Sequence, residues 1–174
     1  MLINKDQFNL INTNKTCLIK NFVSLQREYD FNLLSKLMEE NTLVVEQKSR
    51  IGNLKDIFHA LNVSDYLIEF KTFFNFLIKI FKYENHQGDG IDLFFCLVSQ
   101  VGEAHVDKED VFIIGLKGEV IYRVFGVEDK DYHIKKGDMI FIPRGTKHKV
   151  IGITPRIVAS MGFFGKRISN GEKI

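Results

Sequence analysis

Hydrophobic positions change their period once along this chain, near the turn-rich segment Asn85-His-Gln-Gly-Asp-Gly90. Before it, apolar residues recur at helical spacing. Ser24 can cap a helix running to about Glu40, with Leu33, Leu34, Leu37 and Met38 at core positions. Asn53 and Asn62-Val-Ser64 are caps for two more. The second of these carries Leu67, Phe70, Phe73, Phe74, Leu77, Ile80 and Phe81 on one broad face. Phe76 and Ile78 lie outside that face, so the helix is apolar over more than half its circumference. Packing flat against a sheet is the first use for such a helix, and a homodimer contact is the second. Two short pieces, Thr16–Lys20 and Thr42–Glu46, read as extended.

After the turn the pattern switches to strands. Leu93–Val98, Val111–Leu116, Val120–Phe125, Tyr132–Ile134, Met139–Ile142, Lys149–Ile153 and Ile157–Phe163 follow closely, punctuated by Gly102, Gly118, Gly126, Gly137, Gly145 and Gly152. Many short strands joined by glycine turns predict an antiparallel sandwich or barrel. The chain therefore reads as mainly β with an α-helical N-terminal part. Residues 1–88 form a helical region with short strands, packed on a β-barrel of residues 89–174, in one structural domain overall.

Composition narrows the partners. With 24 basic and 22 acidic residues in 174, the formal net charge is +2, and no nucleic acid or membrane surface is called for. Cys17 and Cys96 stand far apart in apolar runs, as buried thiols of a reducing compartment do. Tyr66–Phe81 is interrupted by Glu69, Lys71, Asn75 and Lys79 and should not span a bilayer. The first residues lack the pattern of a secretory signal. A cytoplasmic protein is the expectation.

The chemistry gathers in two places. His105-Val-Asp107 puts an imidazole and a carboxylate at i and i+2, on one side of a strand. A later strand, in Gly137-Asp-Met-Ile-Phe-Ile-Pro-Arg-Gly-Thr-Lys-His148, can fold back with a second imidazole. Two histidines and one carboxylate gripping one face of a metal are the donor set of non-haem Fe(II) sites. The plainer reading is that His105 and Asp107 sit in a polar turn after Gly102. His59, His86 and His133 read as solvated or capping residues. Asp138 reads as ordering its turn, and Asp110 as a group supporting the ligands.

Gly137, Pro143, Gly145 and His148 match the second motif of the cupin superfamily, and His105, Asp107 and Gly118 fit its first motif. The chain resembles that superfamily, which implies a double-stranded β-helix, the cupin jelly roll. Val111 stands where a simple cupin has an acidic ligand. With it, the His-x-Asp…His set and the stretch His105–Gly118 look like the JmjC-like Fe(II)/2-oxoglutarate oxygenases, in their ribosomal-oxygenase and asparaginyl-hydroxylase branch. So do Arg123-Val124 and the Ile142-Pro-Arg-Gly145 lead-in. Cys17–Phe22 is similar to the strand that opens many of these domains, while residues 102–163 carry the specific part.

The resemblance implies Fe(II) on His105, Asp107 and His148, 2-oxoglutarate as cosubstrate, and hydroxylation of a protein or peptide side chain or of a small molecule. One departure matters. The branch has Lys or Arg two residues after the first motif's glycine, and here that position is Val120. Strand parity offers Tyr122 as an inward hydroxyl and turns Arg123 outward. Arg156 is the first choice of cation for the far carboxylate, with Ser160 on the same face. Two alternatives stay open: a metal-binding cupin enzyme (dioxygenase, isomerase or lyase) that does not use 2-oxoglutarate, and a non-enzymatic ligand-binding cupin.

Overall fold

The computed structural model describes residues 3–25, 28–39, 45–46, 57–60, 68–83, 91–99 and 101–165. Its elements run α1 (Lys5–Asn12), β1 (Cys17–Ile19), α2 (Asn32–Glu39), β2 (Val45–Glu46), β3 (Ile57–Ala60) and α3 (Ile68–Phe81). Then come β4 (Ile91–Cys96), β5 (His105–Val106), β6 (Asp110–Lys117), β7 (Val120–Val124), β8 (Lys130–Ile134), β9 (Met139–Ile142), β10 (Lys147–Gly152) and β11 (Arg156–Phe163). Among the described residues these strands form two antiparallel sheets. The larger has the order β1-β9-β6-β11-β4-β3-β2 and the smaller β5-β10-β7-β8. The crossing of strands between the two sheets is that of the double-stranded β-helix.

Two cores result. Between the sheets, Val111, Ile113, Ile140, Ile142 and Val158 of the large sheet meet Val120, Tyr122 and Ile134 of the small one. On the outer face of the large sheet, Phe112, Ile114, Ile157, Ala159, Met161 and Phe163 meet α3 through Phe70, Phe73, Phe74, Leu77 and Phe81. Each buried phenylalanine is worth roughly 1.5–3 kcal/mol, so α3 is bound firmly to the sheet. Covered on both faces, β6 and β11 are apolar at consecutive positions, without the in-out alternation of a half-exposed strand. Phe76 and Ile78, off the broad face, still pack half-buried against the same core. No helix among the described residues is long and apolar enough to cross a membrane.

The N-terminal part departs from expectation in three places. α1 was not anticipated, yet Asn4 and Gln7 form a reciprocal capping box, with Gln7 N donating to Asn4 Oδ1 at 2.9 Å and Asn4 N to Gln7 Oε1 at 3.0 Å. The helix predicted from Ser24 begins only at Asn32, where the backbone N–H of Leu33 donates to Asp30 Oδ1. The chain before it stays irregular because Phe22 and Tyr29 are drawn into the outer core against Phe73 and Phe70. Packing there outweighs local propensity. Asn53, the cap of another predicted helix, lies outside the described residues, while Ile57–Ala60, within that helix's expected course, form strand β3, which pairs with β4 and with β2. The caps Asn62 and Ser64, and residues Thr42–Leu43–Val44 of the second extended piece, lie outside the described residues.

The turn between β8 and β9 is pinned from within. Asp138, 3% exposed, accepts hydrogen bonds from Lys20 Nζ at 2.7 Å and from the backbone N–H groups of Asn21 and Lys135 at 3.0 Å. Burial alone would raise its pKa, but the Lys20 ammonium and the two amides prevail and hold it below its usual 3.8. This carboxylate contributes stability only while ionised, above that pH, and the contribution is lost as pH falls through the depressed value. A Lys20→Met variant should lose about 1 kcal/mol at neutral pH. In urea unfolding the gap to the parent protein should close as the buffer is taken below the carboxylate range, where both carry a neutral Asp138.

Candidate metal centre

His105 and His148 lie on neighbouring strands of the small sheet, and the β5–β10 register sets them directly opposite one another. Their rings are 4.4 Å apart between centroids. Each imidazole is oriented by a backbone carbonyl two residues before it. His105 Nδ1 lies 3.1 Å from Glu103 O, and His148 Nδ1 lies 2.9 Å from Thr146 O. With Nδ1–H donated to a carbonyl, each Nε2 is left as a lone-pair donor. Asp107 completes the group, with Oδ1 3.8 Å from His105 Nε2 and Oδ2 3.5 Å from His148 Nε2. The ligand atoms of the three lie within 4.8 Å of one another, as donors around one ion do.

The site is one-sided. His148 is 2% exposed, while the side chains of His105 and Asp107 are 26% and 30% exposed. Burial, and the neighbouring His105 imidazole, depress the His148 pKa below its usual 6.5 against the opposing pulls of Thr146 and Asp107. The neutral form that binds metal is thereby favoured. Val111 is buried between the sheets where a simple cupin has its acidic ligand, so three ligands face the opening. Two imidazoles and a carboxylate fit a non-haem Fe(II) ion or a similar divalent metal, with positions left for other ligands.

Tyr122, Arg156 and Ser160 all face the space between the sheets, but they occupy different depths. Tyr122 is buried, its ring 6.5 Å from that of His148, and burial pushes its hydroxyl well above the ordinary tyrosine range. Arg156 is 3% exposed. Its guanidinium lies over Gly152 of β10, where a Cβ would run into Nη1 and Cζ. It is close enough to Tyr122 and Cys96 to act on both electrostatically. Among the described residues its Nη1 has no hydrogen-bond acceptor. Arg156 is thus a buried cation, although it opens its strand. Ser160 is half-buried on the same face, four residues along β11 and so roughly 13 Å away. It sits toward the ligand end, where Gly162 pairs with Val111. Arg123 faces out and is held by Asp131 through Nε at 2.6 Å and Nη2 at 2.7 Å.

One residue reads differently from expectation. His59, expected to be solvated or capping, is 3% exposed and stacks on Phe94 at 4.2 Å between centroids. Its Nε2 is 2.9 Å from Asp92 Oδ2 but out of line for a hydrogen bond. Nothing local in the sequence marks this, because the contact is made between β3 and β4. His133 stays on the surface beside Glu119, as expected, and His86 lies outside the described residues. The two cysteines are buried free thiols, and burial pushes Cys17 up to about 11.

Comparison with known proteins agrees with this architecture. Escherichia coli ribosomal oxygenase YcfD superposes with a TM-score of 0.68 at 17% identity, covering 97% of this chain and 53% of that one. Its complex with cobalt and 2-oxoglutarate gives 0.62 at 17% identity, covering 88% and 49%. A curated Caenorhabditis elegans protein, "Probable inactive acireductone dioxygenase 1", is 29% identical over 77 residues, which are 43% of this chain and 48% of its own. The chain thus spans about half the length of each of these relatives. The family model described as "Cupin domain" matches residues 93–161, from the middle of β4 nearly to the end of β11.

Proposed function

We propose that this cupin is an Fe(II)-dependent oxygenase that uses 2-oxoglutarate to hydroxylate a peptide side chain or a small molecule. Arg156 carries the reading. A buried guanidinium with an open donor in an apolar lumen is costly unless an anion joins it. A dicarboxylate that also chelates the metal would supply that anion. The cobalt and 2-oxoglutarate complex of the E. coli protein with the same fold supports the choice.

The roles divide by position. His105, Asp107 and His148 would hold the metal, which when bound supplies Lewis-acid binding for a 2-oxo acid and for oxygen. Arg156 would take the far carboxylate, for which its Nη1 is the open donor. Tyr122, kept protonated by burial, donates its hydroxyl to the same ligand. Val111, Ile113, Val120, Ile140, Ile142 and Val158 line the lumen and exclude water, strengthening each polar contact inside. Ser160 lies too far from Arg156 to share its carboxylate and serves the end of the ligand nearer the metal. The substrate enters on the exposed side of His105 and Asp107.

A second reading is a metal cupin that coordinates its substrate directly, without 2-oxoglutarate. Val120 favours it, because an apolar side chain occupies the position of the basic anchor.

Anaerobic titration with Fe(II), then 2-oxoglutarate, separates these readings. A weak visible charge-transfer band that appears only with 2-oxoglutarate is the expected result. Iron binding without the band favours direct substrate coordination, and no iron binding favours a non-enzymatic ligand-binding cupin. His148→Ala should lose iron by more than the about 10–100-fold that removal of a mere supporting contact costs. Arg156→Met should keep iron and weaken 2-oxoglutarate about 30-fold or more, since truncating one side of a buried charge pair costs about 2–5 kcal/mol. Gly152→Ala should act in the same direction by displacing the guanidinium, again with iron retained.

A further inference from the structure

The three ligands are not secured in the same way. His105 and His148 stand on paired strands, and their register fixes them together. Asp107 belongs to neither ladder: β5 ends at Val106 and β6 begins at Asp110. Its side-chain position relative to the imidazoles must be set by something other than the sheet.

We infer that Arg144 and Asp110 form a clamp that positions Asp107 against His148. Asp110 follows Asp107 by three residues, and Arg144 precedes His148 by four. The Asp110 side chain is 3% exposed and accepts from the Arg144 backbone N–H at 2.9 Å and from Arg144 Nε at 3.2 Å, both on Oδ1. Tyr83 Oη donates to Oδ2 at 3.0 Å. A third link runs beside them, from Gly145 N to the carbonyl of Asp107 itself at 2.9 Å. The segments carrying the two ligands are therefore tied at backbone and side-chain level over a span of a few residues.

Arg144 also reaches a third segment. Its Nη1 donates to Phe164 O at 2.8 Å, and its Nη2 donates to Phe163 O at 3.1 Å and to Gly165 O. One guanidinium thus holds the start of β6, the turn before β10 and the end of β11 in a fixed relation. Lysine could keep the charge but not this fan of donors, because its ammonium is a single point at the end of a flexible stem. Arg144 and Asp110 touch none of the three ligand atoms through the contacts described, so they act as positioning residues.

This inference rests on the reading of His105, Asp107 and His148 as a metal site. Its test uses Co(II) alone, read by dissociation constant and by the visible d–d spectrum, which reports ligand geometry. Arg144→Lys should weaken Co(II) about 10–100-fold, the usual cost of losing a group that orients a ligand. The spectrum of its saturated complex should change as well. Lys20→Met is the control: it strips the partner from another buried carboxylate, Asp138, and should lower thermal stability while leaving Co(II) affinity and spectrum as in the parent. Tyr83→Phe, which removes a single donor from Asp110 and preserves the aromatic packing, should weaken Co(II) in the same direction by a smaller factor. Parental affinity and spectrum in folded Arg144→Lys overturn the clamp, as does equal loss of affinity in Arg144→Lys and Lys20→Met. If Arg144→Lys does not fold, unchanged affinity in Tyr83→Phe overturns it. Failure of the parent protein to bind Co(II) would instead remove the metal reading on which the clamp rests.

Discussion

One pairing governs the rest of this molecule: β10 lies between β5 and β7, in the register that sets His148 against His105 and against Val124. Side chains on a strand have a period of two, so a slip by one residue would turn His148 outward and bring its neighbours in. The same slip would move Gly152 away from the guanidinium it accommodates. Register here is thus a condition for the triad and the arginine at once. The glycine turns on either side, with Gly118 and Gly145 at positive φ of 73° and 78°, end the strands where this register requires.

Around that pairing the molecule separates its chemistry by face. The large sheet spends its outer face on α3 and its inner face on the lumen, and the candidate metal ligands come from the small sheet and the segment just after β5. The division makes α3 and the phenylalanines of β6 and β11 a scaffold, distant in role from the reaction. It leaves the polar residues of the lumen few enough that each has an identifiable position. Arg156 is deep, Tyr122 lies between it and the ligands, and Ser160 with Asp92 lies across from them on paired strands.

Much of this was legible in the chain. Met139–Ile142 was bounded correctly at both ends, and β6, β7 and β11 within one residue, because strands covered on two sides announce themselves as apolar runs and half-exposed β7 alternates. That His105, Asp107 and His148 come together was legible from a His-x-Asp pair and a Gly-Pro-Gly-His spacing, although Asp107 lies past the end of β5, where strand parity does not place it. What was missed depends on distant partners. The chain before α2 is irregular because Phe22 and Tyr29 find α3, and His59 is buried because β3 finds β4. The capping box of α1 was written in Asn4 and Gln7, but a helix with Ile11 as its buried residue has little hydrophobic signal. Arg144 was visible only as part of a motif, and its partners Asp110 and Phe163–Gly165 are brought to it by the barrel.

The contact between Arg156 and Gly152 has a consequence for how such a chain can change over time. A side chain at position 152 would push the Arg156 guanidinium out of the place it occupies, so a change at one position alters what the other can do. The absence of a side chain at position 152 is thus what lets a cation lie this deep between the sheets, and the smallest residue of β10 decides where the largest polar group of β11 can rest.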